Sequence, residues 1–313
     1  MAPSPVLRIG TRGSPLALIQ ANAVKAGLIA HGVDPAALEI VPIRSSGDQV
    51  RDRALADIGG KGLFTKELEE ALLDRRIDLA VHSMKDVPTW LPPGLKIAAM
   101  LPREDPRDVL LVAPRHGTVA GIAGLPQRAV IGTAAVRRQA QLLHQRPDLE
   151  IVLLRGNVGT RLARLESGDF DATLLALAGL KRLDIAVPAS AILDPAALLP
   201  AVAQGAIGIE TRSDDDATNA IASKLDDRAT RITVTAERAM LELLDGSCRT
   251  PIGGLATLDG ARLTLDGLVA LPDGRALHRH RGHGSADNPA ALGRAVGEVL
   301  RAAAGPDFFR EPA

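Results

Sequence analysis

An α/β fold of more than one domain is predicted by three observations on the sequence. Apolar runs of strand length alternate with amphipathic helical stretches over the first two thirds of the chain. The last third changes to apolar runs separated by Asp-Gly dipeptides, and 313 residues exceed what a single core usually fills. Strands that alternate with helices build mixed, largely parallel sheets covered on both faces. The predicted architecture is therefore two such α/β lobes followed by a small α+β C-terminal domain.

Residues 6–11 read as the first strand. Ser14 and Pro15 then occupy the N-cap and first-turn positions of an apolar-periodic helix that ends near Gly32. Runs at 39–44, 78–82 and 96–101 have strand length, and a helix over 63–76 places Leu68 and Leu72 on one face. Prolines and charges at 101–106 mark a boundary. Beyond it, strands at 108–113, 129–133, 150–155 and 172–176 interleave with helices at 134–145 and 158–166. Ile9-Gly10-Thr11 and Ile131-Gly132-Thr133 each precede a helix, a short echo that points to two lobes built alike. After Ser213 the character changes. Residues 214–227 begin a charged helix, 235–244 continue helically, and 256–281 hold strands broken at the hairpin signals Asp259-Gly260 and Asp273-Gly274. A helix over 289–303 closes this unit.

Charge excludes several classes. Lys plus Arg and Asp plus Glu number 37 each, so there is no global electrostatic case for nucleic acid or an anionic membrane, and any anion site must be local. The first residues carry Arg8 and Arg12 without a long apolar core, so no secretory signal is expected. The longest uncharged stretch, 195–209, is broken by Pro200, Gln204, Gly205 and Gly208 and falls short of a membrane span of about 20 residues. With one cysteine and no signal, the expected location is the cytoplasm.

That cysteine, Cys248, lies in the tight sequence from Gly246 to Gly253. Alone it can form neither an internal disulfide nor half of a thiolate metal site, so a functional role would be that of a nucleophile or covalent anchor; Arg249 beside it favours the thiolate. The competing reading is a small buried apolar residue. A second constellation is His82, Ser83, Lys85 and Asp86, delivered at the end of a predicted strand, where α/β sheets bind ligands. Asp86 suits a catalyst best, because a carboxylate beside a developing cation stabilises it and passes a proton to a leaving amine. Third, Arg12, Arg137, Arg138, Arg155, Arg161 and Arg182 sit at or near strand ends and helix starts, where guanidinium groups bind carboxylates bidentately. Gly59-Gly60-Lys61-Gly62 fails as a Walker loop, since Leu55 stands where its first glycine belongs, and reads as a glycine-rich turn bringing Lys61 to an anion. No metal is expected: His278, His280 and His283 have neither cysteine nor a helix-borne pair nearby and read as a polar strand face.

Taken together, these motifs resemble the porphobilinogen deaminase (hydroxymethylbilane synthase) family over essentially the whole chain. TRGSPLAL from Thr11, GGKGLFTKELE from Gly59, HSMKDVP from His82, LRGNVGTRL from Leu154, AGLKRL from Ala178 and GSCRTPIG from Gly246 occur in the family's order. The resemblance implies two periplasmic-binding-protein-like (type II) lobes. Lobe 1 would be 1–102 completed by a returning segment, 199–213; lobe 2 would be 103–198; the small third domain, 214–313, would carry the cysteine. It implies head-to-tail condensation of four porphobilinogen molecules into hydroxymethylbilane with loss of ammonia, on a dipyrromethane cofactor joined through a thioether to Cys248.

By the same resemblance Asp86 is catalytic. Ser83, Lys85, Asp86, Thr133, Arg137, Arg138 and Arg161 match cofactor-binding positions, and Arg12, Ser14, Gln20, Arg155 and Arg182 match positions facing the substrate or growing chain. The family implies a monomer, and chain growth requires a mobile turn at 59–62. Where the family has GTSSLRR this chain has Ala134 and Ala135, so two hydroxyls are missing; Asp57 replaces a common lysine, and Ala203 opens the usual GQG. Two rivals use the same residues differently. A two-lobed binder of a small anion would share the fold but has no need of the cysteine turn, and a thiol-dependent acyl transferase would need a histidine base beside Cys248.

Overall fold

The structure is a computed structural model and describes residues 6–45, 62–244, 250–305 and 308. The chain divides into two units, one formed by Met1–Val50, Gly60–Glu104 and Gly205–Arg231, the other by Arg51–Gly59, Asp105–Gln204 and Ile232–Ala313. The first holds a five-stranded sheet. Its strands are β1 (Leu7–Arg12), β2 (Leu38–Ile43), β3 (Leu79–Ser83), β4 (Leu95–Met100) and β9 (Ile207–Arg212), in the order β2-β1-β3-β9-β4. β1 is parallel to β2 and β3, whereas β9 is antiparallel to β3 and β4.

Helix α1 (Pro15–Ala30) forms where the sequence predicts it. The Ser14 hydroxyl accepts from the Ala17 N–H at 3.3 Å, Pro15 presets the first turn, and Ala17, Ala21, Val24 and Leu28 make one buried stripe. That stripe packs on Ile9, Leu79, Val81, Ile207 and Ile209 of the sheet. Each such aliphatic side chain contributes about 1.5–3 kcal/mol on full burial, so Leu28→Ala would cost about 2–5 kcal/mol. Ala222 and Leu225, beyond residue 213 where the sequence reading ends the first lobe, belong to the same core. On α2 (Lys66–Leu73), Leu68 and Leu72 face Ile77, Ala80 and Leu95.

The second unit holds β5 (Asp108–Val112), β6 (Val130–Gly132), β7 (Glu150–Val152) and β8 (Ala172–Ala176), in the order β5-β8-β6-β7. β6 is parallel to β7 and β8, and β5 runs antiparallel to β8. From the other edge this is β7-β6-β8-β5, the order and polarity of β2-β1-β3-β9. The sequence echo falls on equivalent positions: Ile9 and Gly10 pair with Leu79 and Ala80, while Ile131 and Gly132 pair with Ala172 and Thr173. Two lobes of the type II periplasmic-binding-protein kind, with mixed, largely parallel sheets, are thus present as predicted. Helix α3 (Val136–Gln145) follows β6 as α1 follows β1, and α4 (Val158–Glu166) follows β7.

The second unit also contains a three-stranded antiparallel sheet of β10 (Ile252–Asp259), β11 (Arg262–Ala270) and β12 (Leu277–Ser285). Asp259 pairs with Arg262 across the first predicted hairpin, and the second Asp-Gly lies between β11 and β12. A terminal helix (Pro289–Ala304) buries Leu292, Val296 and Leu300. The helix Arg228–Leu243 begins earlier than the predicted 235–244. On it Glu237, fully buried, accepts from the Ala203 N–H at 2.6 Å and the Ala256 N–H at 2.8 Å.

Sequence reasoning from the residues alone left β9 unread, because Glu210 and Arg212 interrupt its apolar pattern, and it left the short helix Leu177–Arg182 unmarked. Gly205, where the chain re-enters the first unit, has φ +92°, and any Cβ there would be driven into the Glu104 carbonyl, so only glycine fits.

Candidate active site

In the first unit, β3 ends at Ser83 and runs into a single 3-10 turn, Met84–Asp86. The turn is anchored from below: Met84 is fully buried and its N–H donates to the Ala206 carbonyl at 3.0 Å. Asp86 is thereby held at the mouth of a pocket enclosing about 490 Å³, open solvent included, which Arg12, Ser14, Gln20, Ser83 and Lys85 also line. Six residues drawn from the cofactor and substrate sets of the sequence reading therefore share one pocket.

Arg12, at the end of β1, lies with Nη1 3.7 Å from Asp86 Oδ2 and its guanidinium carbon 4.2 Å from the centroid of the Phe64 ring. The ion pair is partly solvated, 22% and 30% exposed, so it contributes at most about 1 kcal/mol and is readily exchanged for a ligand carboxylate. Gln20 is buried, and its Nε2 donates to Ser83 Oγ at 2.8 Å. Ser14 spends its hydroxyl oxygen as the α1 cap. Behind the turn, His82 Nε2 and Glu210 Oε2 are 2.9 Å apart and almost fully buried. Burial, with the Glu210 charge nearby, pushes the Glu69 carboxyl above its ordinary range.

The second unit carries the remaining described candidates. Thr133 follows β6; its N–H donates to the Val152 carbonyl at 2.9 Å and its hydroxyl accepts from the Ala135 N–H at 3.1 Å. Ala135, at the N-cap of α3, offers no side-chain cap, and the Thr133 hydroxyl fixes the turn ahead of the helix without capping its first-turn N–H groups. Arg137 and Arg138 are buried, 6% and 5% exposed, and both bind Asp108, which is inaccessible to solvent. Burial raises the Asp108 carboxyl, but the two guanidinium charges and their hydrogen bonds overcome it and hold the group far below the usual carboxylate range. Arg161 donates from Nε to the Gly156 carbonyl at 2.9 Å, and Arg155 and Arg182 are half-buried.

Cys248, Asp57 and the glycine turn through Lys61 lie outside the described residues. Among the described residues no group of three or more His, Cys, Asp or Glu could hold a metal, and His278 packs edge-on against Phe308 at 5.5 Å. Among them, too, no helix is long and apolar enough to cross a membrane. The sequence reading missed Asp108, Glu210 and Phe64. A signal existed only for Phe64, one of four phenylalanines in a chain with 2% aromatic residues, placed beside the glycine turn.

The fold and pocket define a two-lobed α/β protein whose first lobe carries a carboxylate, Asp86, with the cations Arg12 and Lys85 in one pocket suited to an anionic ligand. The family described as "Porphobilinogen deaminase, dipyromethane cofactor binding domain" matches residues 7–220, and "Porphobilinogen deaminase, C-terminal domain" matches residues 231–302. The porphobilinogen deaminase of Nitrobacter winogradskyi is 52% identical over 302 residues, covering 96% of this chain and 94% of the relative. That of Paracoccus denitrificans is 51% identical over 308 residues, covering 98% and 97%. Among solved structures, the periplasmic VFT2 domain of Bordetella pertussis BvgS overlaps with a TM-score of 0.42 at 16% identity, over 72% of this chain and 88% of that one. The chain belongs to the porphobilinogen deaminase family.

Proposed function

We propose that this chain is a hydroxymethylbilane synthase, a transferase of tetrapyrrole biosynthesis that joins four porphobilinogen molecules head to tail with loss of ammonia and then releases hydroxymethylbilane by hydrolysis. The observation that carries the reading is Asp86, fixed on its turn beside an exchangeable Arg12 in a pocket that also presents Lys85 and the Gln20–Ser83 pair. Porphobilinogen bears an acetate, a propionate, a pyrrole N–H and an aminomethyl group. Arg12 holds a carboxylate, and Ser14 and Gln20 orient polar groups. Asp86 accepts the pyrrole N–H, stabilises the positive charge that develops as the carbon–nitrogen bond breaks and ammonia departs, and receives the proton lost once the new carbon–carbon bond has formed.

The cofactor is dipyrromethane, and the residues present suit it: Arg138 Nε is a buried donor with no partner among the described residues, as a site for an anionic group requires. When bound, the dipyrromethane supplies the primer pyrrole whose open α-carbon accepts the first substrate unit. Thr133, Arg137, Arg138 and Arg161 would hold its carboxylates, as would Ser83 and Lys85, Cys248 would anchor it covalently, and Arg155 and Arg182 would face the growing chain. The enzyme works as a cytoplasmic monomer. Purified protein given porphobilinogen should release ammonia and carry an excess mass equal to two linked porphobilinogen units. A chain that neither gains that mass nor releases ammonia refutes the reading and leaves a binder of small anions in its place.

A further inference from the structure

Asp108 is a buried carboxylate that the reaction does not use, and its surroundings are specific. Oδ2 accepts from Arg137 Nη2 at 2.7 Å, and Oδ1 accepts from Arg138 Nη2 and Gln204 Nε2, each at 2.8 Å. The other ends of the two guanidinium groups terminate on backbone: Arg137 Nη1 on the Leu199 carbonyl at 2.6 Å and Arg138 Nη1 on the Leu174 carbonyl at 2.7 Å. Each plane is thus pinned at two points, and β5, β8 and the segment at residue 199 supply the pins. What remains is Arg138 Nε, buried and without a partner among the described residues.

Two cations on one carboxylate leave a net positive charge in a place from which water is largely excluded. Buried donors are almost always paired in folded proteins, and leaving one unmade costs about 1–3 kcal/mol. The excess charge and the unmatched N–H therefore ask for the same thing, an anionic oxygen. Without Asp108, the two guanidinium groups would repel one another and lose their common anchor, and a single bond, to the Leu174 carbonyl, would be left to fix the direction of Arg138 Nε.

We propose that Asp108 is a positioning residue for cofactor capture: by fixing the planes of Arg137 and Arg138 it aims Arg138 Nε at a carboxylate of the dipyrromethane. This rests on the reading of these arginines given above. Asp108 is inaccessible to solvent, so it acts through the side chains that bind it, the two arginines and Gln204.

The test uses apoprotein made in cells that produce no porphobilinogen. Porphobilinogen is then added, and covalent loading is followed by intact mass and normalised to the folded fraction from thermal melting. Asp108→Asn should melt cooperatively yet load at least tenfold more slowly, with the porphobilinogen concentration for half-maximal loading raised. A purely structural role would lower the melting temperature and leave loading per folded molecule unchanged. Loading of Asp108→Asn at the parent rate overturns the proposal. If that variant does not fold, Asp108→Glu decides, since it keeps the charge but moves the carboxylate by about 1.5 Å, one carbon–carbon bond. At least threefold slower loading is expected, and the parent rate overturns the proposal. A parent apoprotein that gains no mass refutes the activity itself. Arg138→Gln loading at the parent rate refutes the arginine reading, whereas slow loading there with normal loading in the Asp108 variants refutes Asp108 alone.

Discussion

Replacing Asp86 with asparagine removes one negative charge and keeps the shape of the side chain. The turn that carries it is held by the buried Met84 and its hydrogen bond to Ala206, neither of which the substitution touches, so the amide should occupy the place of the carboxylate. A unit charge about 4 Å from a developing cation, at an effective dielectric near 20, is worth about 4 kcal/mol. At tenfold per 1.36 kcal/mol, that is about a thousandfold in the rate of carbon–nitrogen cleavage. Arg12, 3.7 Å away, opposes part of this benefit while it faces Asp86, so the full figure applies only once a substrate carboxylate has drawn Arg12 aside. The assay is ammonia release in a single turnover, with intact mass showing the cofactor in place. Asp86→Glu, which keeps the charge and displaces it, should retain more activity than Asp86→Asn. A fully loaded Asp86→Asn enzyme within threefold of the parent would show that no charge at this position stabilises the transition state.

Cys248→Ser should lose the whole cofactor mass, since a hydroxyl is a far weaker nucleophile than a thiolate, and intact mass reads this directly. Phe64→Ala removes the ring beside the Arg12 guanidinium, an interaction of about 0.5–1 kcal/mol; KM should rise about two- to fivefold with kcat little changed. Glu69 has a raised pKa, so the native state holds its proton more tightly than the unfolded chain, whose reference value is 4.5. Its ionisation therefore removes stability as the pH climbs from the unfolded towards the folded pKa. Glu69→Gln should melt higher than the parent at neutral pH, and this advantage should vanish below about pH 4; an equal advantage at both pH values would contradict the assignment.

Local chemistry made much of this molecule legible. Ser14-Pro15 ahead of an apolar period announced α1, Asp259-Gly260 announced the β10–β11 hairpin, and the echo of Ile9-Gly10-Thr11 at 131–133 reflected two sheets of one design. Where the reading stopped, the cause was charge cancelled by distant partners. β9 carries Glu210 and Arg212, which look like surface residues until His82, 128 positions away, meets one and the Leu72 carbonyl, 140 positions away, meets the other.

The site divides by the same principle. Asp86 stands out in the sequence as a candidate because of its place at a strand end, whereas Asp108 is one aspartate before an apolar run, given meaning by Arg137, Arg138 and Gln204, which lie 29, 30 and 96 residues on. The arginines that form one scattered set in the sequence therefore separate by what holds them. Arg137 and Arg138 are locked into a dry frame that carries excess positive charge and can give a ligand direction but cannot follow it, while Arg12 sits on an aromatic ring beside a partly solvated ion pair to Asp86. A permanently attached primer and a succession of arriving substrates make opposite demands on their cation partners, and under the proposed function the two kinds of arginine would meet those demands separately.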